Sequence, residues 1–228
     1  MKMPDIIIAI DGYSSTGKSS FAKLVAREFG FIYLDSGAVY RAVTLFAQEE
    51  GLISDSGEIS PALGDRLGGL DVHFESDGIH IGDRLVEGQI RSLEVSGQVS
   101  LISALPFVRN FVDAHLHEWG GRGRIVMDGR DIGTTVFPEA QIKVFMTASE
   151  EVRARRRFDE LREKGDMTTT LEEVRINLRE RDYIDSHRET SPLKQAADAF
   201  VLDNSEMSFE EEIAWIKGLA QGKFTILE

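Results

Sequence analysis

Five short, largely apolar stretches punctuate the chain at residues 6–10, 31–34, 124–127, 142–146 and 199–202. The first is Ile6, Ile7, Ile8, Ala9 and Ile10, apolar without alternation, which suits a strand covered by helices on both faces. Between the stretches the apolar spacing changes to that of helices. Phe21, Leu24 and Val25 follow the first strand, Tyr40, Val43 and Phe46 lie within 38–50, and Leu171, Val174 and Leu178 fall at i, i+3 and i+7. Helices are also predicted over 90–104 and 107–119, separated by Pro106, and from a cap at Ser149 with Glu150 and Glu151 in the first turn. From 51 to 90 Gly and Asp recur, and DVHFES, GIHIGD and RLVEG read as short strands joined by turns, a small inserted antiparallel lobe. Strands alternating with helices predict an α/β fold around five parallel strands.

The first strand ends at Asp11, and residues 12–19, GYSSTGKS, fit G-x-x-x-x-G-K-[ST] at every fixed position with a strand before and a helix after. Such a loop turns successive backbone N–H groups around a polyphosphate. Gly17 allows close approach, Lys18 carries charge to the β- and γ-phosphates, Ser19 offers a hydroxyl to Mg²⁺, and the helix N-terminus adds its dipole. A glycine-serine turn could match the pattern by chance; the flanking strand and helix argue for function.

Composition narrows the field. A net charge of −13 over 228 residues opposes general binding to nucleic acid or a membrane surface, which needs a positive footprint. No run approaches a membrane span, the first five residues are too short and polar for a signal peptide, and there is no cysteine, as expected of a cytoplasmic protein. The five histidines show no ligand spacing along the chain.

The arginines cluster instead, at 153–157 and 179–188, which points to local sites for a small anion. Four arginines within five residues repel one another unless anions visit, and Arg153 and Arg157 share a helix face. They suit a lid that closes over phosphate, or an exposed helix balanced by Glu150, Glu151, Asp159 and Glu160. Arg41, one turn into its helix, either reaches an anion or is simply solvated. Asp128-Gly129-Arg130-Asp131 stands at the carboxyl end of a strand, where open α/β sheets hold ligands, although DGRD can also be a structural turn. The inward stripe of the helix from Leu171 continues as Arg181, Asp185 and Arg188, where core should be; these line a polar cleft or form a structural bridge.

Taken in order, DGYSSTGKS, LDSGAVYRA, IRSLEVS, MDGRDIGTTVFP, RARRR, RERDYIDSHRETSPL and VLDNSEMS resemble the bacterial cytidylate kinase family, from about residue 6 to 216. The resemblance implies the P-loop NTPase fold, a five-stranded parallel sheet flanked by helices, with the core in 1–38, 106–152 and 168–228. It implies an acceptor-nucleotide lobe in 39–105, with its antiparallel insert at about 70–88, and a helical lid in 153–167. The implied activity is transfer of the γ-phosphoryl group of ATP to CMP or dCMP with Mg²⁺, by a monomer. Gly12, Tyr13, Ser14, Ser15, Thr16, Gly17, Lys18, Ser19 and Ser20 with Arg157 would bind ATP. Ser19, with Asp128 through water, would hold the metal. Ser36, Arg41, Ser100, Arg109, Arg130, Asp131, Arg181, Asp185 and Arg188 would bind CMP, and Lys18, Arg130 and Arg188 would be catalytic. Tyr13 and Ser15 stand where the family often has proline and glycine. A related P-loop kinase with another acceptor and a nucleotide-dependent switch are the alternatives; the RERDYIDSHR segment disfavours the first, and a second anion pocket disfavours the other.

Overall fold

The N-terminal β-branched run forms β1 (Ile7–Gly12), the middle strand of a five-stranded sheet, in a computed structural model that describes residues 3–75, 77–121 and 123–224. The other strands are β2 (Ile32–Asp35), β6 (Ile125–Gly129), β7 (Ile142–Thr147) and β8 (Phe200–Asp203), and the order is β2-β6-β1-β7-β8. β1 runs parallel to β6 on one side and to β7 on the other, and β7 runs parallel to β8, so the α/β expectation holds. Ile8, Ala9 and Ile10 are buried because helices cover both faces, as the lack of alternation implied.

The chain divides into two compact units, one drawn from the stretch up to Leu34 together with Gly120 onward, the other Asp35–Trp119. In the first, α1 (Lys18–Phe29) begins and ends on glycines in the left-handed region, Gly17 at φ 92° and Gly30 at φ 67°. Phe21, Val25 and Phe29 pack with Ile8, Ile10, Val144, Met146 and, from α8 (Phe209–Phe224), Ile216 and Ala220. Gly12 has φ 148°, and a Cβ there would sit 2.0 Å from the Met146 carbonyl oxygen, so only glycine lets the strand pair with β7 and turn into the loop. A second cluster joins α6 (Glu150–Glu163) to α7 (Leu171–His187) through Ala154, Leu161, Val174 and Leu178. Both helices start on side-chain caps, Ser149 to the Val152 N–H and a Thr170–Glu173 capping box.

The second unit holds α2 (Ser36–Glu49), α3 (Leu63–Leu67), the antiparallel strands β3 (Val72–Glu75), β4 (Gly78–Ile81) and β5 (Arg84–Leu85), then α4 (Leu93–Ser103) and α5 (Pro106–Gly120). The helix predicted over 90–104 is broken: Gln89–Arg91 is a 3₁₀ turn, and Ser92 caps α4 by accepting from the Val95 N–H. α2 starts two residues earlier than expected, because Asp35 accepts from the Ala38 N–H as its cap. α3, α8 and a π turn at Ile132–Val136 are additions to the predicted elements.

Candidate active site

The loop after β1 is held by its own groups and by α6, α7 and β8. Lys18 is buried, and its Nζ donates to the Tyr13 carbonyl at 2.6 Å; Thr16 Oγ1 donates to the same carbonyl at 3.1 Å. Ser15 stands at φ 58°, a left-handed conformation that costs a residue with a side chain about 1–2 kcal/mol and costs glycine little. The Ser14 N–H donates to Asp182 Oδ1 at 3.0 Å, and Arg153 donates both to the Ser14 carbonyl at 3.1 Å and to Asp182 Oδ2 at 2.5 Å. Arg156 donates to the Thr16 carbonyl at 3.1 Å and to Asn204, whose Nδ2 also donates to Thr16 and to the buried Glu212. Thus Arg153 and Arg156 brace the loop. Arg157 pairs with Glu160 at 2.8 Å and lines, with Ser15, Gly17 and Ser20, a cavity of about 850 Å³ beside the loop.

Burial pulls the Lys18 ammonium down to about 7, with the Arg130 charge adding to the fall and Asp128, Asp11 and Asp182 opposing it. Asp11 accepts from the Ile132 and Gly133 N–H groups at 2.8 and 2.7 Å, anchoring the π turn after β6. Burial nonetheless raises its carboxyl to about 7 against those two donors, and the nearby Asp131 charge adds to the rise. Ser19 Oγ donates to Asp128 Oδ2 at 2.9 Å while Tyr33 donates to Oδ1 at 2.7 Å. A hydroxyl and a carboxylate side by side are the hard oxygen donors that suit Mg²⁺.

The end of β6 and the end of α7 form one charged network. Arg130 donates to Asp185 at 2.8 Å and to Ser14 Oγ at 3.0 Å; Arg188 donates to Asp131 at 3.1 Å and to the Ser191 carbonyl, with Asp185 at 3.9 Å. The Arg188, Asp131 and Asp185 side chains are about 95% buried, so their charges are matched by one another rather than by water. Arg181 lies one turn before Asp185, half-buried.

In the second unit Asp35 accepts from Arg41 at 2.7 Å and from Arg91 at 3.1 Å. Burial works against its ionisation, but the two guanidinium groups outweigh it and hold the carboxyl below its ordinary range. Ser36 opens α2 and is buried. Ser100 is buried on α4, and Arg109, 1% exposed, donates to the Ser103 carbonyl at 3.2 Å with its guanidinium 5.4 Å from the centre of the Tyr40 ring.

The sequence gives no role to Asp11, Asp182, Arg91, Asn204 and Glu212, and it offers Arg153 and Arg156 only as members of an arginine cluster suited to phosphate, whereas here they bond the loop backbone. RERDYIDSHR contains Asp182 and could have flagged it; Asn204 and Glu212 reach the loop only through β8 and α8. Six residues separate His73 from His80 in the sequence, yet the antiparallel pairing of β3 with β4 places them opposite one another.

The chain matches the family model described as Cytidylate kinase over residues 8–221. It is 49% identical over 220 residues to a Cytidylate kinase of Bacteroides fragilis, covering 94% of this chain and 96% of that protein. To a Cytidylate kinase of Porphyromonas gingivalis it is 50% identical over 217 residues, covering 92% and 94%. Among solved structures it shares a fold with an uncharacterized protein from Eubacterium ventriosum, with a TM-score of 0.53, 9% identity and coverage of 96% and 99%.

Proposed function

The chain belongs to the cytidylate kinase family and phosphorylates CMP or dCMP with ATP as donor, and we propose that its residues divide this work as follows. The observation that carries the assignment is the loop itself, a buried Lys18 beside Ser19 and Asp128, with Arg130 donating into it at Ser14. Residues 12–20 wrap the ATP phosphates, and Arg157 reaches them from a lid at 153–167. Lys18 exchanges its contact with the Tyr13 carbonyl for phosphate oxygens. Ser19, and Asp128 through water, would hold Mg²⁺, which would supply neutralisation of phosphate charge.

For the acceptor, Arg41 and Arg130 are assigned to the phosphate, Ser36 to acceptor binding, and Arg181 and Asp185 to the ribose. Ser100, Arg109, Asp131 and Arg188 read cytosine. Asp131 can accept from the cytosine amino group and Arg109 can donate to its acceptor edge, whereas uracil would turn an oxygen to the same carboxylate. Transfer needs alignment and charge neutralisation more than a base, because the phosphoryl group passes through a loose transition state. Lys18, Arg130 and Arg188 supply fixed positive charge for it. The working protein is a cytoplasmic monomer that does not use nucleic acid, in keeping with its net charge of −13. No helix among the described residues is long and apolar enough to cross a membrane.

The test is ADP formation from Mg-ATP with CMP, dCMP, UMP and AMP offered separately. Strong turnover with CMP and dCMP and little with UMP or AMP is expected. Equal turnover of UMP would remove the role given to Asp131, and silence from all four would remove the activity.

A further inference from the structure

The hairpin of β3 and β4 carries chemistry that phosphoryl transfer does not use. His73 and His80 are directly paired across the two strands, which puts their side chains on one face, and their rings stack at 19° with centres 5.7 Å apart. Glu75, two residues after His73, shares that face by the strand period. One nitrogen from each histidine and one Glu75 carboxylate oxygen all lie within 4.8 Å of one another.

His73 is also oriented for ligation. His73 Nδ1 lies 3.2 Å from Asp71 Oδ1, so a proton held there leaves Nε2 with its lone pair toward Glu75, whose Oε1 is 3.4 Å away. A carboxylate behind a histidine is the arrangement that fixes the tautomer of a metal-ligating imidazole. His80 is 7% exposed, and its Nε2 lies 2.9 Å from Asp77 Oδ1, so a carboxylate stands against this imidazole too. Ligands of a tetrahedral ion at about 2.0–2.1 Å stand roughly 3.3 Å apart. The His73–Glu75 pair already has that separation, and one His80 nitrogen lies within 4.8 Å of both atoms.

We propose that His73, His80 and Glu75 form a binding site for a borderline divalent transition ion, Zn²⁺ by the donor set. Two imidazoles and a carboxylate favour such an ion over Mg²⁺, which prefers all-oxygen octahedra. The site lies within the second unit, uses none of the residues given a role in phosphoryl transfer, and does not depend on those roles. Bound metal would tie β3 to β4.

The experiment uses the full chain, stripped with chelator and titrated with Zn²⁺ calorimetrically in excess Mg²⁺, with the imidazole ¹⁵N resonances followed in parallel. One Zn²⁺ per chain is expected, held against Mg²⁺, with the His73 and His80 resonances shifting together. His73→Asn should weaken binding about tenfold or more. If that variant fails to fold, Glu75→Gln, an exposed change, is read the same way. Absence of Zn²⁺ binding in excess Mg²⁺, or undiminished binding by the folded variant, overturns the site.

Discussion

Lys18 holds its ammonium where burial and Arg130 both oppose the charge, so the free protein carries this lysine at a cost to its stability. Its pKa falls from 10.5 to about 7, so the stability it contributes is complete above 10.5 and lost as pH falls through about 7. Asp11 has the opposite sign: raised from 3.8 to about 7, its contribution is complete below 3.8 and lost as pH rises through about 7. Near neutrality both groups are strained electrostatically. Lys18→Met should therefore lower kcat about a hundredfold or more while raising Tm at pH 7 by about 2–4 °C, on the order of 1 kcal/mol. Polyphosphate beside Lys18 restores the ammonium, so ATP binding near pH 8 should take up a proton. Calorimetry in buffers of different ionisation enthalpy reads that uptake, and a heat independent of buffer would refute it. Ser15, held at φ 58°, is a second point of strain in the same loop.

At the level of elements, the loop is braced from behind. α6 contributes Arg153 and Arg156, α7 contributes Asp182, and Asn204 follows β8, each bonded to loop backbone or to a group that is. Asp182→Ala would leave the Ser14 N–H and the Arg153 guanidinium without this acceptor. The KM for ATP should rise about tenfold with a smaller change in kcat, since a donor of the phosphate cradle is released rather than removed. Unchanged ATP kinetics would show that the brace is idle. This brace was only partly legible beforehand. Residues 6–10, GYSSTGKS and the stripe at Leu171, Val174 and Leu178 announce strand, loop and helix because their signals are local. The charges at Arg181, Asp185 and Arg188 are legible as a break in that stripe, and the structure ties Asp185 to Arg130 and Arg188 to Asp131, the two residues that follow β6. Arg153 and Arg156, by contrast, depend on where α6 lands, which no helical spacing reveals. α3 was hidden by its five-residue length in a Gly- and Asp-rich stretch, and Ile132–Val136 because β-branched residues suggest strand rather than a π turn. His73 and His80 become neighbours only once a turn reverses the chain between them.

For the molecule as a whole, an acidic body with cations concentrated at a few buried points separates solubility from substrate binding. Net charge keeps copies of the chain apart, while Arg130 and Arg188 act at short range where little water screens them. The central position of β1 has a further consequence, for synthesis. Ile7 pairs with Ile125 and Ile8 with Ile142, so this apolar segment is made more than a hundred residues before either of its neighbours. At about 5–20 residues per second, residues 6–10 wait on the order of ten seconds outside the ribosome without a sheet to join. Nascent chains stalled with Trp119 just emerged should expose that segment to crosslinking by a general chaperone, and chains stalled with Thr147 well clear of the exit tunnel should shield it. Equal crosslinking at both lengths would mean that the segment finds shelter elsewhere. On this account, the strand that carries the phosphate loop is also the segment for which the growing chain most needs a chaperone.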